Sequence, residues 1–274
     1  MKPEDKYITV NNIKMHYLDW GNSKKQTMLL LHGFIAHAHS WDGFAARMQH
    51  RYHVVVPDQR GHGDSEWSKD GSYSSEDFGD DLAALIDILE IEKPVIIGHS
   101  MGGRNVIIYA GRNPEKIDKL VAVDSRLRSD PINAIAIQLM AQSILDHLES
   151  MEEGIKALMK FSSSIPRDLA EDLVLHGVRK LPDGSYVPKF DLAMKDQAVS
   201  KMLVTNLWPY LEKITCPTLI VRGVNSPIMP KELAEQMAEA LPNGQLVEIE
   251  KAGHLVPQEN HVAFENAITR FLEN

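Results

Sequence analysis

The chain has 274 residues, 43% of them apolar and 24% charged, so it carries enough apolar side chain for a sizeable buried core in one domain, with or without an insertion. Its net charge of −9 argues against the clustered basic surface that nucleic-acid binding needs, and no apolar run approaches the roughly 18 residues that span a bilayer. The single cysteine, Cys216, has no partner for an internal disulfide, and the 12 histidines fall in no H-E-x-x-H or paired Cys/His frame, so neither a disulfide scaffold nor a metal site is expected.

The charged run from Met1 to Lys6 has no hydrophobic stretch behind it, which predicts no secretory leader and makes cytoplasmic residence the expectation. Residues 7–10 and 13–19 flank Asn11-Asn12, a pair that tolerates left-handed backbone, and read as a hairpin. Strand-like segments at 27–31, 54–57, 95–97 and 120–123 then alternate with helical ones, the pattern of right-handed crossovers and a largely parallel sheet. In the helix predicted over 75–90, Phe78, Leu82, Leu85, Ile86 and Leu89 share one face, while Asp77, Asp80, Asp81 and Asp87 are expected on a solvated surface.

The alternation stops after Asp124. Residues 126–210 show helical periodicity, with Ile132, Ile135, Leu139 and Met140 on one face, and no convincing strand. Alternation resumes with a strand at 218–222, a helix at 231–241, a strand at 245–249 and a helix at 261–272, so 126–210 reads as a helical cap inserted between core segments 1–125 and 211–274. Met140, Met151, Met159, Met194 and Met202 lie in it and either line an acyl pocket or pack the cap helices together. Cys216, before Pro217 and a strand, reads as a small buried residue rather than a nucleophile.

Gly98-His99-Ser100-Met101-Gly102 joins the β-branched run Val95-Ile96-Ile97 to a helix-compatible stretch, a strand, tight turn and helix that lift one serine above the sheet edge. Upstream, Leu29-Leu30-Leu31-His32-Gly33-Phe34 is a strand ending in His-Gly; downstream, Ala252-Gly253-His254 follows the last strand. Pro57-Asp58-Gln59-Arg60-Gly61-His62-Gly63-Asp64-Ser65 is a further landmark, in which Asp58 and Asp64 are expected to fix turns. In this order the motifs resemble the α/β-hydrolase family over nearly the whole chain, and within it the small esterases of the ABHD11 and YbfF type. That resemblance implies an α/β fold with a mostly parallel eight-stranded sheet, flanked by helices and carrying an inserted cap.

Ser100 is the expected nucleophile and His254 its base, because an imidazole exchanges protons near neutral pH. The family's usual acid position, after the seventh strand, falls in Arg222-Gly223-Val224-Asn225-Ser226-Pro227-Ile228, where no carboxylate occurs. Asp124, ending the strand beside the nucleophile's, is therefore the expected acid, with Asp130 the fallback; the ABHD11 and YbfF type is similar in its aspartate after the sixth strand and its Asn-Ser pair after the seventh. Asn225 and Ser226 are expected to hold the carboxylate or the histidine loop, and His32 and His99 to shape the site by packing. The fold implies an oxyanion hole from the backbone N–H groups of Phe34 and Met101.

Phe34 and Ile35 border the expected acyl or alcohol pocket. Arg126 and Arg128 read either as attractors of an anionic substrate or as solvated residues at a junction. The chemistry expected is hydrolysis of a small-molecule carboxylic ester, or thioester, through an acyl-enzyme, with no cofactor and no metal. A C–C bond hydrolase or lyase on the same residues, or a ligand-binding protein of the same fold, are the competing readings.

Overall fold

The computed structural model describes residues 2–127, 138, 141–195 and 205–274. The hairpin is β1 (Glu4–Val10) and β2 (Ile13–Asp19), and its turn residues Asn11 and Asn12 have φ of 46° and 63°. It is followed by β3 (Thr27–Leu31), β4 (His53–Pro57), β5 (Val95–His99) and β6 (Lys119–Val123), and later in the chain by β9 (Thr218–Gly223) and β10 (Gly244–Ile249). They form one eight-stranded sheet in the order β1-β2-β4-β3-β5-β6-β9-β10, in which β2 runs opposite to the other seven.

The central strands are covered on both faces, which is why β3 reads as the unbroken apolar run Met28-Leu29-Leu30-Leu31. Odd-numbered Leu29 and Leu31 join a cluster with α2 (Ser75–Ile88) and α3 (Met101–Arg112), through Leu82, Val106 and Ile107. Even-numbered Met28 and Leu30 join a second cluster on the opposite face, with Trp41, Phe44, Phe264 and Phe271. Chain order reverses between β3, which leads outward to β4, and β5, which leads the other way to β6; the crevice at such a reversal, above the C-terminal strand ends, is where open α/β sheets place a site.

Helix α2 starts at a reciprocal cap: Ser74 Oγ accepts from Asp77 N at 3.2 Å and Ser74 N donates to Asp77 Oδ2 at 2.7 Å. The solvated face expected of its aspartates fails at Asp81. That carboxylate is buried and takes Arg60 Nε and Nη2 at 2.6 and 2.7 Å, because the loop after β4 lies across the helix and supplies a guanidinium.

Between β6 and β9 the described residues include helices Met151–Phe161 and Arg167–Gly177 and the short helix Trp208–Leu211. They also include an antiparallel hairpin of β7 (Val178–Lys180) and β8 (Tyr186–Pro188), which corrects the reading of this stretch as strandless. Three-residue strands are too short to set up a period. The audible signal was Pro182-Asp183-Gly184, whose glycine has φ 94°. Ile132, Ile135, Leu139 and Met140 lie outside the described residues.

Candidate active site

The turn from β5 into α3 places Ser100 at φ 52° and ψ −113°, a region that costs a non-glycine residue about 1–3 kcal/mol. Neighbouring bonds hold it there: Ser100 N donates to Val123 O at 2.9 Å, and Ser100 O accepts from Arg104 N at 3.1 Å and Ser125 Oγ at 2.9 Å. The flanking glycines answer a packing demand. A Cβ on Gly98 would collide with Gly102 O, and one on Gly102 with Leu31 O and His32 O, so helix, nucleophile strand and β3 approach closer than any side chain permits.

Three side chains from three strand ends meet above this turn. His254 Nε2 is 3.0 Å from Ser100 Oγ, and His254 Nδ1 is 2.9 Å from Asp124 Oδ1. Asp124 is fully buried and takes two more donors, Ser226 Oγ on Oδ1 at 2.6 Å and Gly223 N on Oδ2 at 3.0 Å, which suits an acceptor-only carboxylate. With Asp124 accepting, Nδ1 carries the proton, and Nε2 presents its lone pair to the serine hydroxyl. Of the Asn-Ser pair, the Ser226 side chain holds the carboxylate, whereas Asn225 acts through its backbone, donating to Ala252 O at 2.9 Å.

The two histidines expected to shape the site do so as neutral groups. Burial pushes His99 down to about 3, and its Nε2–H donates to the His254 carbonyl at 2.8 Å. Burial also pushes His32 down to about 3; its Nδ1–H donates to Gly33 O at 2.8 Å and its Nε2 accepts from Gln59 N at 3.0 Å, which settles its tautomer. Gln59 Nε2 returns a bond to His32 O at 2.7 Å, and Gln59 Oε1 accepts from Asn105 of α3 at 2.6 Å. The loop after β3 is thus braced against the nucleophile helix. Asp58 fixes turns as expected, accepting from Ala38 N at 2.6 Å and Asp64 N at 2.9 Å.

Sequence reasoning missed Glu259. Its carboxylate accepts from Gly253 N, immediately before His254, and from Ser162 Oγ at the end of helix Met151–Phe161. Only tertiary structure brings that glutamate beneath the histidine loop.

Met101 opens α3, so its N–H has no acceptor within its own helix, and the positive helix end faces the serine. Phe34, half-buried after β3, packs with Tyr73, Phe78, Met101 and Met194. Ile35 is 36% exposed at φ 60°. Of the methionines, Met194 joins the cluster under Phe34, while Met151 and Met159 pack between the helices that lie between β6 and β9; Met140 and Met202 lie outside the described residues. Arg126 is buried, not solvated, and its carbonyl accepts from Arg104 Nη1 at 2.6 Å; Arg128 and the fallback acid Asp130 also lie outside the described residues. Cys216 is buried, and burial raises its thiol.

Comparison with known proteins bears on this geometry. A family model described as alpha/beta hydrolase fold matches residues 26–183, and one described as TAP-like protein matches 198–274. The chain is 27% identical over 252 residues to 2-(acetamidomethylene)succinate hydrolase of Mesorhizobium japonicum, covering 90% of this chain and 87% of that one. It is 25% identical to the bifunctional esterase/perhydrolase DCH of Acinetobacter calcoaceticus, covering 92% and 93%. A crystal structure of E-2-(acetamidomethylene)succinate hydrolase superposes with a TM-score of 0.92 at 24% identity, over 99% of this chain and 100% of that one.

Proposed function

Because the chain belongs to the α/β-hydrolase fold family, we propose that this hydrolase cleaves carboxylic esters, with acyl thioesters as a close variant, through an acyl-enzyme on Ser100. The observation that carries the reading is the unbroken series Asp124 Oδ1, His254 Nδ1, His254 Nε2, Ser100 Oγ, with links of 2.9 and 3.0 Å, at a serine held in left-handed backbone. His254 Nε2 takes the Ser100 proton as Oγ attacks the acyl carbonyl, while Asp124 stabilises the imidazolium through Nδ1–H. The tetrahedral oxyanion is held by the N–H groups of Phe34 and Met101. On collapse His254 gives its proton to the departing alkoxide or thiolate, then takes one from a water that attacks the acyl carbon and passes it to Ser100 Oγ as the carboxylic acid leaves.

In this reading residues 126–210 are a cap over the core formed by 1–125 and 211–274, and Phe34, Ile35 and Met194 border the acyl group. An esterase among the relatives supports ester chemistry, and a relative named for a substituted succinate makes acidic acyl groups worth including in the test.

The test is a panel of p-nitrophenyl esters and acyl-CoA thioesters of graded chain length, with half-esters of dicarboxylic acids beside neutral esters. Wild type is expected to turn over esters, and Ser100→Ala to lose at least ~10³-fold in kcat with an unchanged melting temperature. Retention of more than about a tenth of the activity by that variant would remove Ser100 from the mechanism. Cleavage of a β-diketone with every ester left intact would move the reading to C–C bond hydrolysis, and saturable binding without turnover would move it to a ligand-binding protein.

A further inference from the structure

Outside the hydrogen-bond series of Ser100, three side chains with metal-ligating atoms meet where the segment between β6 and β9 touches the sheet layer. His39 sits in the 3-10 turn Ala38–Trp41, Asp42 opens α1 (Asp42–Met48), and His176 lies near the end of helix Arg167–Gly177. One ligand atom from each falls within 4.8 Å of the other two. His39 Nδ1 is 2.9 Å from Asp42 Oδ2, and the His39 and His176 rings stack with centroids 3.7 Å apart. A second carboxylate stands by, Asp172 Oδ1 at 3.7 Å from His176 Nε2.

Among the described residues, the ion-pair partner of Asp42 is His39 and that of Asp172 is His176. Asp42 Oδ1 is buried with no hydrogen-bond partner among the described residues, a state that an incoming cation would relieve. The two segments are already pinned beside the cluster, where His37 Nε2–H donates to Leu173 O at 2.9 Å.

We propose that His39, His176 and Asp42 bind a divalent transition-metal ion, Zn²⁺ by the chemistry of the donor set, which clasps helix Arg167–Gly177 to the segment after β3. Two imidazoles and one carboxylate form a ligand set that Zn²⁺ accepts, and ligand atoms about 2.1 Å from one ion lie about 3.4 Å apart, against up to 4.8 Å here, so the stacked rings turn apart to aim both lone pairs at the ion. No sequence frame announces the site because its ligands come from two distant segments.

The test uses full-length protein stripped with EDTA and dialysed, then titrated with ZnCl₂ in a calorimeter and in a thermal melt, with Co²⁺ absorption as a ligand-field readout. One equivalent of Zn²⁺ is expected to bind with micromolar or tighter affinity and raise the melting temperature. His176→Ala and His39→Ala should each weaken binding more than tenfold and abolish the shift, whereas His261→Ala, on an exposed helix start, should change neither. Metal-free His176→Ala should match metal-free wild type in ester turnover, which separates loss of the site from loss of the fold. Absence of Zn²⁺ binding to wild type, or undiminished binding to the His176 and His39 variants, would overturn the proposal.

Discussion

Strand β3 buries all five of its residues, whereas helix Met151–Phe161 buries only Gly154 and Ile155 of its eleven. The sheet is clamped between two large apolar clusters. The segment between β6 and β9 has a small one, Ile155, Ile165, Ala170 and Val174, and leaves Phe161 and Leu175 exposed at 47% and 60%. Among the described residues its polar ties to the rest include His37 to Leu173 O, Ser162 to Glu259, Lys189 Nζ to Asp64 at 2.8 Å, Tyr73 OH to Asp191 at 2.5 Å and Arg104 Nη2 to Thr205 O at 3.0 Å, and Met194 and Leu207 pack into clusters of the sheet layer. Leu255, directly after His254, adds an apolar contact to the small cluster. A polar tie is worth about 1 kcal/mol, against about 1.5–3 for a fully buried Leu or Val side chain. The sheet therefore dictates where Ser100, Asp124 and His254 stand, and the segment between β6 and β9 reaches them through discrete contacts such as Ser162 with Glu259.

That contrast breaks first, and by most, at the sheet edge. Asp124→Asn is expected to lower kcat for p-nitrophenyl acetate by about 10⁴-fold, because the amide favours the wrong imidazole tautomer while filling the same space. A loss below tenfold in steady-state kinetics would show that His254 needs no carboxylate there. For stability, Leu30→Ala should cost about 3 kcal/mol in urea unfolding, since both faces around it are packed and the cavity cannot collapse. Val174→Ala in the segment between β6 and β9 should cost about 1 kcal/mol. Equal costs would mean that this segment and the sheet unfold as one equally packed body.

The smallest expected effect sharpens the comparison at a carboxylate that touches both regions beside His254. Glu259→Ala removes both acceptor oxygens, so Gly253 N–H and Ser162 Oγ each lose this partner. We expect kcat to fall about tenfold through displacement of the His254 loop, with KM for p-nitrophenyl acetate and the melting temperature nearly unchanged. An unaltered kcat would show that the histidine loop is held by His99 and Asn225 alone.

Glu259 also marks the boundary of what a chain read in one dimension discloses. The strands and helices of the sheet layer were legible because each rests on a local period, and the Ser100 turn because glycine spacing and a β-branched run are neighbours in sequence. Asp124 was legible through a gap, since the stretch after Arg222 has no carboxylate and the adjacent strand ends in one. Asp81 misled because its helical position said surface, while Arg60 came from another loop to bury it. The hairpin of β7 and β8 was too short for a period to register.

Sequence by itself determined the α/β alternation, the turn that raises Ser100 and the candidates for its partners, all consequences of backbone preference and residue spacing acting over a few positions. Tertiary structure alone decided that Ser226 rather than Asn225 reaches Asp124 with its side chain, that Glu259 supports the histidine loop, and that His39 and Asp42 meet His176. The reason is physical: a side chain finds its partner by the packing of elements far apart in the chain, and no local pattern records that choice.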